Sequence, residues 1–310
     1  MSTGIGLTVQ APTSHFPCLP HSTVSREQDA LMSSFRLTQQ QLNFFDTFGY
    51  IALPGLMTDK IAEITEAFEQ IWTDHGGGHN GKPHDGVNRS CIVPFLDQHE
   101  RLCALLDDPQ IEGTLCSLLG EYFNYTGSDG NYYAGDTPWH SDGYFKEIRY
   151  VKIAFYLDAL TRDTGCLRVI PGSHRMGDGY SEALEKDVRE SEQAWGVTGP
   201  DVPAIALEVE PGDIVAFRHN TKHAAFGGGE RRRMFTINCC ERVDDDRIEI
   251  LKKDMEGLSR FWVERAYGEK MVTTASPRRM VHLEQLMAND GHLAALSAKL
   301  RAEMTEPSRS

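Results

Sequence analysis

The segment DTPWHSDGYF places His140 and Asp142 two residues apart, and on an extended chain residues i and i+2 project from the same face. An imidazole and a carboxylate so placed can reach one metal ion together. They are the beginning of a two-histidine, one-carboxylate facial triad, which leaves positions open on iron(II) for a chelating cosubstrate and dioxygen. The pair alone is common, so the chemistry requires a second histidine from another element. The segment PGDIVAFRHNTKHAAFGGGERRRMFTIN offers His219 and His223, after a turn at Pro211-Gly212-Asp213 and a strand over 214–217. Three arginines, Arg231, Arg232 and Arg233, then lead into an alternating strand. An arginine there suits a carboxylate, because the guanidinium fork binds both oxygens in plane and never loses its charge.

The other histidines have plainer readings. His75, His79 and His84 are irregularly spaced in HGGGHNGKPHDGVNRS, a long glycine-rich loop, and read as exposed lid residues rather than a metal cluster. Trp139 flanks His140 and should point to the opposite face, into the core. His174 reads as a hydrogen-bonding residue of a turn.

The elements that must position these groups come in blocks. Thr38 is a plausible N-cap for a helix that Gly49 ends, followed by a short strand over 50–53. A second helix is predicted over 59–72, with Ile61, Ile64, Phe68 and Ile71 on one face. A helical segment over 100–119 precedes the runs NYYAG, YVKIAFYLDAL, CLRVIPGS, AIALEVEPGDIVAF and RRMFTINCCER, which are short, β-branched or aromatic, and separated by Gly, Pro and Asp. The Glu-rich stretch 172–200 is an excursion, and 281–304 is predicted to be one amphipathic helix. Helices on either side of many short strands give an α+β domain on a sandwich or barrel. The expected organisation is a loose arm over 1–36, a single domain over 37–304 and a tail over 305–310.

Composition excludes partners rather than naming them. The chain has 310 residues and a formal net charge of −14, so long-range attraction to nucleic acid is not expected. No apolar run approaches the roughly 20 residues of a membrane helix. Seven cysteines without a C-x-x-C pair read as buried thiols of a reducing compartment. The N-terminus has no basic segment leading into an apolar core, so a cytoplasmic location is expected. The sequence does not reveal oligomeric state.

Over 37–242 the chain resembles the phytanoyl-CoA dioxygenase family of iron(II)- and 2-oxoglutarate-dependent oxygenases. The resemblance rests on LTQQQLNFFDTFGYIALPGL, WHSDG, GCLRVIPGSHR, PGDIVAF and the histidine followed by RRRMFTIN, all in the family's order. WHSD is also similar to the ectoine hydroxylases of the same wider group. The resemblance implies a double-stranded β-helix, a cupin-like jelly-roll of two facing sheets, with flanking N- and C-terminal helices. It implies iron(II) as metal, 2-oxoglutarate and dioxygen as cosubstrates, and release of succinate and carbon dioxide. It makes His140, Asp142 and His223 the ligands, since the distal histidine stands six residues after the aromatic of PGDxxxF. His219 falls outside that pattern and reads as a solvated or packing histidine.

For the cosubstrate carboxylate the family places a hydroxyl residue four positions after the arginine on the same face. Arg232 with Thr236 satisfies this, while Arg233 remains an alternative because the gap from His223 is short. Asn131 is a further expected cosubstrate contact. The carboxylate of Asp142 stands where related halogenases carry a small residue, so hydroxylation or another oxidation is expected instead. No catalytic residue beyond the ligands is implied. A rival reading is a non-oxidative cupin-type metal-dependent isomerase or a small-molecule binding module, which would need no arginine after His223. A silent 2-oxoglutarate sensor would not need the intact triad. No dense basic patch for a coenzyme A thioester occurs outside Arg231 to Arg233, which favours a small free metabolite as substrate.

Overall fold

Thr38 opens the first helix, Gln39–Phe48, with a capping box: its hydroxyl accepts from the Gln41 N–H, and the Gln41 side chain accepts from the Thr38 N–H at 2.8 Å. Gly49 ends the helix at φ +83°, and a Cβ there would meet His174 Nδ1 at 2.3 Å, so both the turn and the packing require glycine. These features come from a computed structural model that describes residues 35–310. Residues 1–34 of the expected arm, and Cys18 with them, lie outside the described residues. The described residues all belong to one compact unit.

The strands, in chain order, are β1 (Tyr50–Leu53), β2 (Ser90–Ile92), β3 (Asn124–Gly127), β4 (Gly130–Tyr133), β5 (Thr137–His140), β6 (Tyr150–Tyr156), β7 (Leu167–Val169), β8 (Ile205–Leu207), β9 (Ile214–Arg218), β10 (His223–Ala225) and β11 (Arg232–Cys240). They form a seven-stranded sheet in the order β1-β9-β6-β11-β4-β2, with β3 also on β11, and a four-stranded sheet in the order β5-β10-β7-β8. All of the strand pairs are antiparallel. This is the jelly-roll core expected from the resemblance.

Strand alternation divides the large sheet between two tasks. Phe155 and Phe235 are register partners, and their rings stack at 4.5 Å on the helical side, where Phe68, Trp72 and Phe95 complete the main core. The opposite parity of β6 and β11 (Lys152, Ala154 and Tyr156; Arg232, Met234, Thr236 and Asn238) lines a cavity between the sheets. The period of two therefore decides which residues hold the fold together and which can meet a ligand.

Several predicted boundaries shift for identifiable reasons. The second helix runs Ile61–Asp74. The segment predicted helical over 100–119 is interrupted, because Asp108 accepts from the Gln110 and Ile111 N–H groups and Pro109 starts a new helix, Pro109–Leu119. The predicted 281–304 helix is two, Pro277–Met287 and Leu293–Glu303. Between them the Asp290 carboxylate accepts from Arg265 and from the Ala266 N–H, each at 2.9 Å. The excursion contains helices Gly179–Asp187 and Ser191–Trp195. Cys91, Cys103, Cys116, Cys166, Cys239 and Cys240 are free and buried. Among the described residues no helix is long and apolar enough to cross a membrane.

His174 gives the fold a pH dependence. Burial, aided by Arg218, pushes its pKa down to about 4, so the folded protein holds it neutral. The unfolded chain then binds the extra proton, and stability falls as pH drops from about 6.5 through about 4. Discounted for residual solvation, the loss is about 2 kcal/mol. Urea midpoints at pH 7.5 and 4.5 should therefore differ less in His174→Gln than in the parent; an unchanged difference would remove His174 as a contributor.

Candidate metal centre

His140 and His223 are direct register partners across β5 and β10, with ring centroids 4.2 Å apart. Each ring is held by a backbone carbonyl two residues upstream: Nδ1–H of His140 donates to Pro138 O at 2.8 Å, and that of His223 to Thr221 O at 2.9 Å. These bonds leave both Nε2 lone pairs available, the usual arrangement for histidines that ligate a metal. β5 ends at His140, and the chain remains anchored beyond it because the Asp142 N–H donates to His219 O at 2.9 Å. Asp142 Oδ2 lies 3.8 Å from His223 Nε2. One donor atom from each of His140, Asp142 and His223 falls within 4.8 Å of the others.

The protonation states suit a divalent cation. Burial, and then the neighbouring His140, hold His223 neutral, with its pKa down at about 3. Burial opposes ionisation of Asp142, but Lys152 and the surrounding histidines outweigh it and keep the carboxyl well below its ordinary range. Lys152 Nζ stands 2.8 Å from Asp142 Oδ2, a close ion pair in the metal-free protein. A neutral imidazole at His223, the free Nε2 of His140 and an ionised carboxylate at Asp142 fit iron(II).

The three arginines diverge. Arg232 is 5% exposed and turns into the cavity, where its Nη1 has no hydrogen-bond partner among the described residues. Its guanidinium lies 5.2 Å from the Tyr133 ring, and Arg89 lies 4.5 Å from the same ring. Arg233 instead faces outward, bonded to Asp158 at 2.9 Å and Glu69 at 3.0 Å. Arg231 bonds Glu69 at 2.8 Å and the Tyr132 hydroxyl at 2.7 Å. Two glycines make room for Arg232: a Cβ on Gly165 would come within 2.0 Å of its Nη1, and one on Gly228 within 2.2 Å. The triad and Arg232 line one cavity of about 830 Å³.

Asn131 does not reach the cavity surface. It is fully buried, its carbonyl accepts from Arg89 Nε at 2.8 Å, and its amide donates to Asp129 at 2.6 Å. Both ends of the amide are committed to the wall, where Asn131 holds Arg89 rather than projecting toward a ligand.

A family model described as phytanoyl-CoA dioxygenase (PhyH) matches residues 45–234. The chain belongs to the phytanoyl-CoA dioxygenase family. It is accordingly a non-haem iron(II)- and 2-oxoglutarate-dependent oxygenase. No curated protein matches it. Among solved structures, the non-heme alpha ketoglutarate dependent carbocyclase SnoK from nogalamycin biosynthesis is 21% identical, with a TM-score of 0.53 over 66% of this chain and 84% of that one. EctD from S. alaskensis with 2-oxoglutarate and 5-hydroxyectoine is 22% identical, with a TM-score of 0.51 over 71% and 79%. HygX from Streptomyces hygroscopicus with nickel and 2-oxoglutarate is 15% identical, with a TM-score of 0.51 over 66% and 88%.

Within this phytanoyl-CoA dioxygenase family member, the remaining histidines among the described residues form no second metal-competent cluster. His79 is buried and bridges Cys91 O and Pro307 O, while His84 joins Ser90 to Glu230 O. The glycine-rich loop is thus pinned by residues read from sequence as exposed. Trp139 is buried against Phe226, its indole N–H donating to Gly199 O at 2.8 Å. His219, read as solvated or packing, is 9% exposed, lines the cavity and stands beside the Asn238 side chain. Sequence reasoning missed Lys152, Arg89, Asp129 and Arg260, all on the cavity wall. A signal existed for Lys152 alone, as a lysine in the otherwise apolar run YVKIAFY.

Proposed function

We propose that His140, Asp142 and His223 hold the iron(II), that Arg232 pairs with the distal carboxylate of 2-oxoglutarate, and that the enzyme hydroxylates or otherwise oxidises a C–H bond of a small metabolite in cytoplasmic secondary metabolism. The observation that carries this reading is the convergence of three metal-competent donor atoms within 4.8 Å on one cavity wall. When bound, the metal and cosubstrate supply oxidative decarboxylation of 2-oxoglutarate by dioxygen, giving succinate and carbon dioxide while a substrate C–H bond is oxidised. The chain itself fixes the ligand geometry through the carbonyls of Pro138 and Thr221. It supplies an uncompensated cation, Arg232, for an anionic cosubstrate. The excursion contributes Arg189 to the cavity lining, a position from which it can bear on substrate choice. The rival isomerase or binding module has no use for a partnerless arginine beside the triad. Association of SnoK with nogalamycin biosynthesis supports a secondary-metabolite substrate.

Anaerobic titration of the protein with iron(II) and then 2-oxoglutarate should produce a visible charge-transfer absorption that requires both, and that is absent in His223→Ala. No absorption in the parent protein would refute the reading. A metabolite panel scored by succinate release would then identify the substrate.

The glycines around Arg232 give a second test. Gly165 has φ +91° and its Cβ would fall on Arg232 Nη1, so Gly165→Ala must displace the guanidinium as well as strain the turn. The KM for 2-oxoglutarate should rise about tenfold or more, the loss of roughly one charge-assisted hydrogen bond. An unchanged KM in a folded variant would place the cosubstrate elsewhere.

A further inference from the structure

The cavity contains a cation whose only ion-pair partner belongs to the triad. Lys152 is 14% exposed, and among the described residues Asp142 is its one ion-pair partner, at 2.8 Å. On the iron(II) reading, the charge of Asp142 is directed to the metal. The other carboxylate near Lys152 is Asp129, which already accepts from Arg89 at 3.2 Å, from Asn131 at 2.6 Å and from the Thr236 hydroxyl. The loaded enzyme therefore leaves a largely buried ammonium short of counter-charge, a state that is costly unless something anionic arrives.

The surroundings of Lys152 are built to receive such a group. Asn238 is its register partner on β11, and Asn238 and His219 lie side by side, the Asn238 side chain within hydrogen-bonding reach of the His219 ring, both on the cavity wall. Arg260 lines the same cavity, stacks 4.8 Å from the Phe261 ring and has no ion pair among the described residues. Arg232 stands six residues from Asn238 along β11, roughly 20 Å of strand. A cosubstrate anchored at Arg232 therefore enters from the far end of the cavity.

We propose that Lys152, with His219, Asn238 and Arg260, recognises a carboxylate on the primary substrate, which is thus a carboxylic acid. The proposal rests on the iron(II) and 2-oxoglutarate reading above. The ammonium and guanidinium meet the carboxylate, the imidazole adds a neutral donor, and the Asn238 oxygen accepts from a hydroxyl or amino group beside it. This constellation assembles from four distant stretches of sequence, so the fold collects a cationic chamber although no basic patch is written in any one segment.

The test is calorimetric and does not depend on turnover. The anaerobic enzyme loaded with iron(II) and 2-oxoglutarate is titrated with phenylacetate, mandelate and phenylalanine, and with the primary amide of each. At least one acid should bind tenfold or more tightly than its amide. Lys152→Met should lose that preference and Lys152→Arg should retain it, each variant titrated at iron(II) and 2-oxoglutarate concentrations that saturate its own charge-transfer absorption. Equal affinity for acids and amides in the parent protein overturns the proposal, and that comparison stands even if Lys152→Met does not fold. So does a preference that survives in Lys152→Met. Absence of the charge-transfer absorption in the parent protein overturns the iron(II) reading and the proposal together; its presence without an acid preference overturns this proposal alone.

Discussion

Asp142→Ala and His140→Ala are both expected to lose metal-dependent succinate formation by about a thousandfold or more, since each removes one of three ligands from an open site. They should part company in the stability of the metal-free protein. Removing the Asp142 carboxylate strips Lys152 of its ion pair at 2.8 Å and leaves the ammonium in a wall where it is only 14% exposed. Breaking a buried pair from one side costs more than the pair is worth, and with Asp129 close enough to compensate in part, the loss should be about 1–3 kcal/mol. His140→Ala gives up the contact with His223 and one hydrogen bond to Pro138 O at the end of an edge strand, which should cost about 1 kcal/mol or less. Paired measurements of iron(II) affinity and urea stability on both variants check this. Full succinate formation in either variant would end the triad assignment. Equal stability would show that Lys152 is compensated by another group.

The same pair of residues marks how far the sequence could be read. His140 and Asp142 were legible because i, i+2 spacing on an extended chain is a local property. That His140 pairs directly with His223 was not, because register between segments some eighty residues apart is set by the sheets. A period of two along RRRMFTIN puts Arg232, Met234, Thr236 and Asn238 on one face, and those four residues do share the cavity wall. What alternation could not supply was the outward partner set: Arg233 is held by Asp158 and Glu69, acids from separate elements. β2, β3 and β5 escaped notice because they are only three or four residues long and owe their existence to their neighbours. Pro138 is tolerated in β5 because that strand is an edge. Gly165 belongs to the motif GCLRVIPGSHR, but the space that it and Gly228 leave for Arg232 is a tertiary fact. The interruption before Pro109 was the most readable of the misses, since Asp-Pro is a standard helix start.

Arg232→Met should raise the KM for 2-oxoglutarate about a hundredfold or more, the loss of a forked pair of charge-assisted hydrogen bonds at 1.5–3 kcal/mol each. The fold should not suffer, because the guanidinium is buried at 5% exposure with Nη1 unpartnered, and an apolar side chain of similar length removes an uncompensated charge. Stability should be unchanged or slightly higher. Arg233→Met should do the reverse: it breaks bonds to Asp158 and Glu69 at about 1–2 kcal/mol of stability, and leaves the KM within about threefold. Arg232→Lys separates charge from geometry, since an ammonium keeps the attraction but cannot form the planar fork, and an intermediate rise of about tenfold is expected. Steady-state kinetics in 2-oxoglutarate together with urea denaturation distinguishes the three variants. If Arg233→Met carried the KM effect and Arg232→Met the stability loss, the cosubstrate would have to bind on the outward face of β11, among Glu69 and Asp158. Those carboxylates would repel it, which is the physical reason to expect the first pattern.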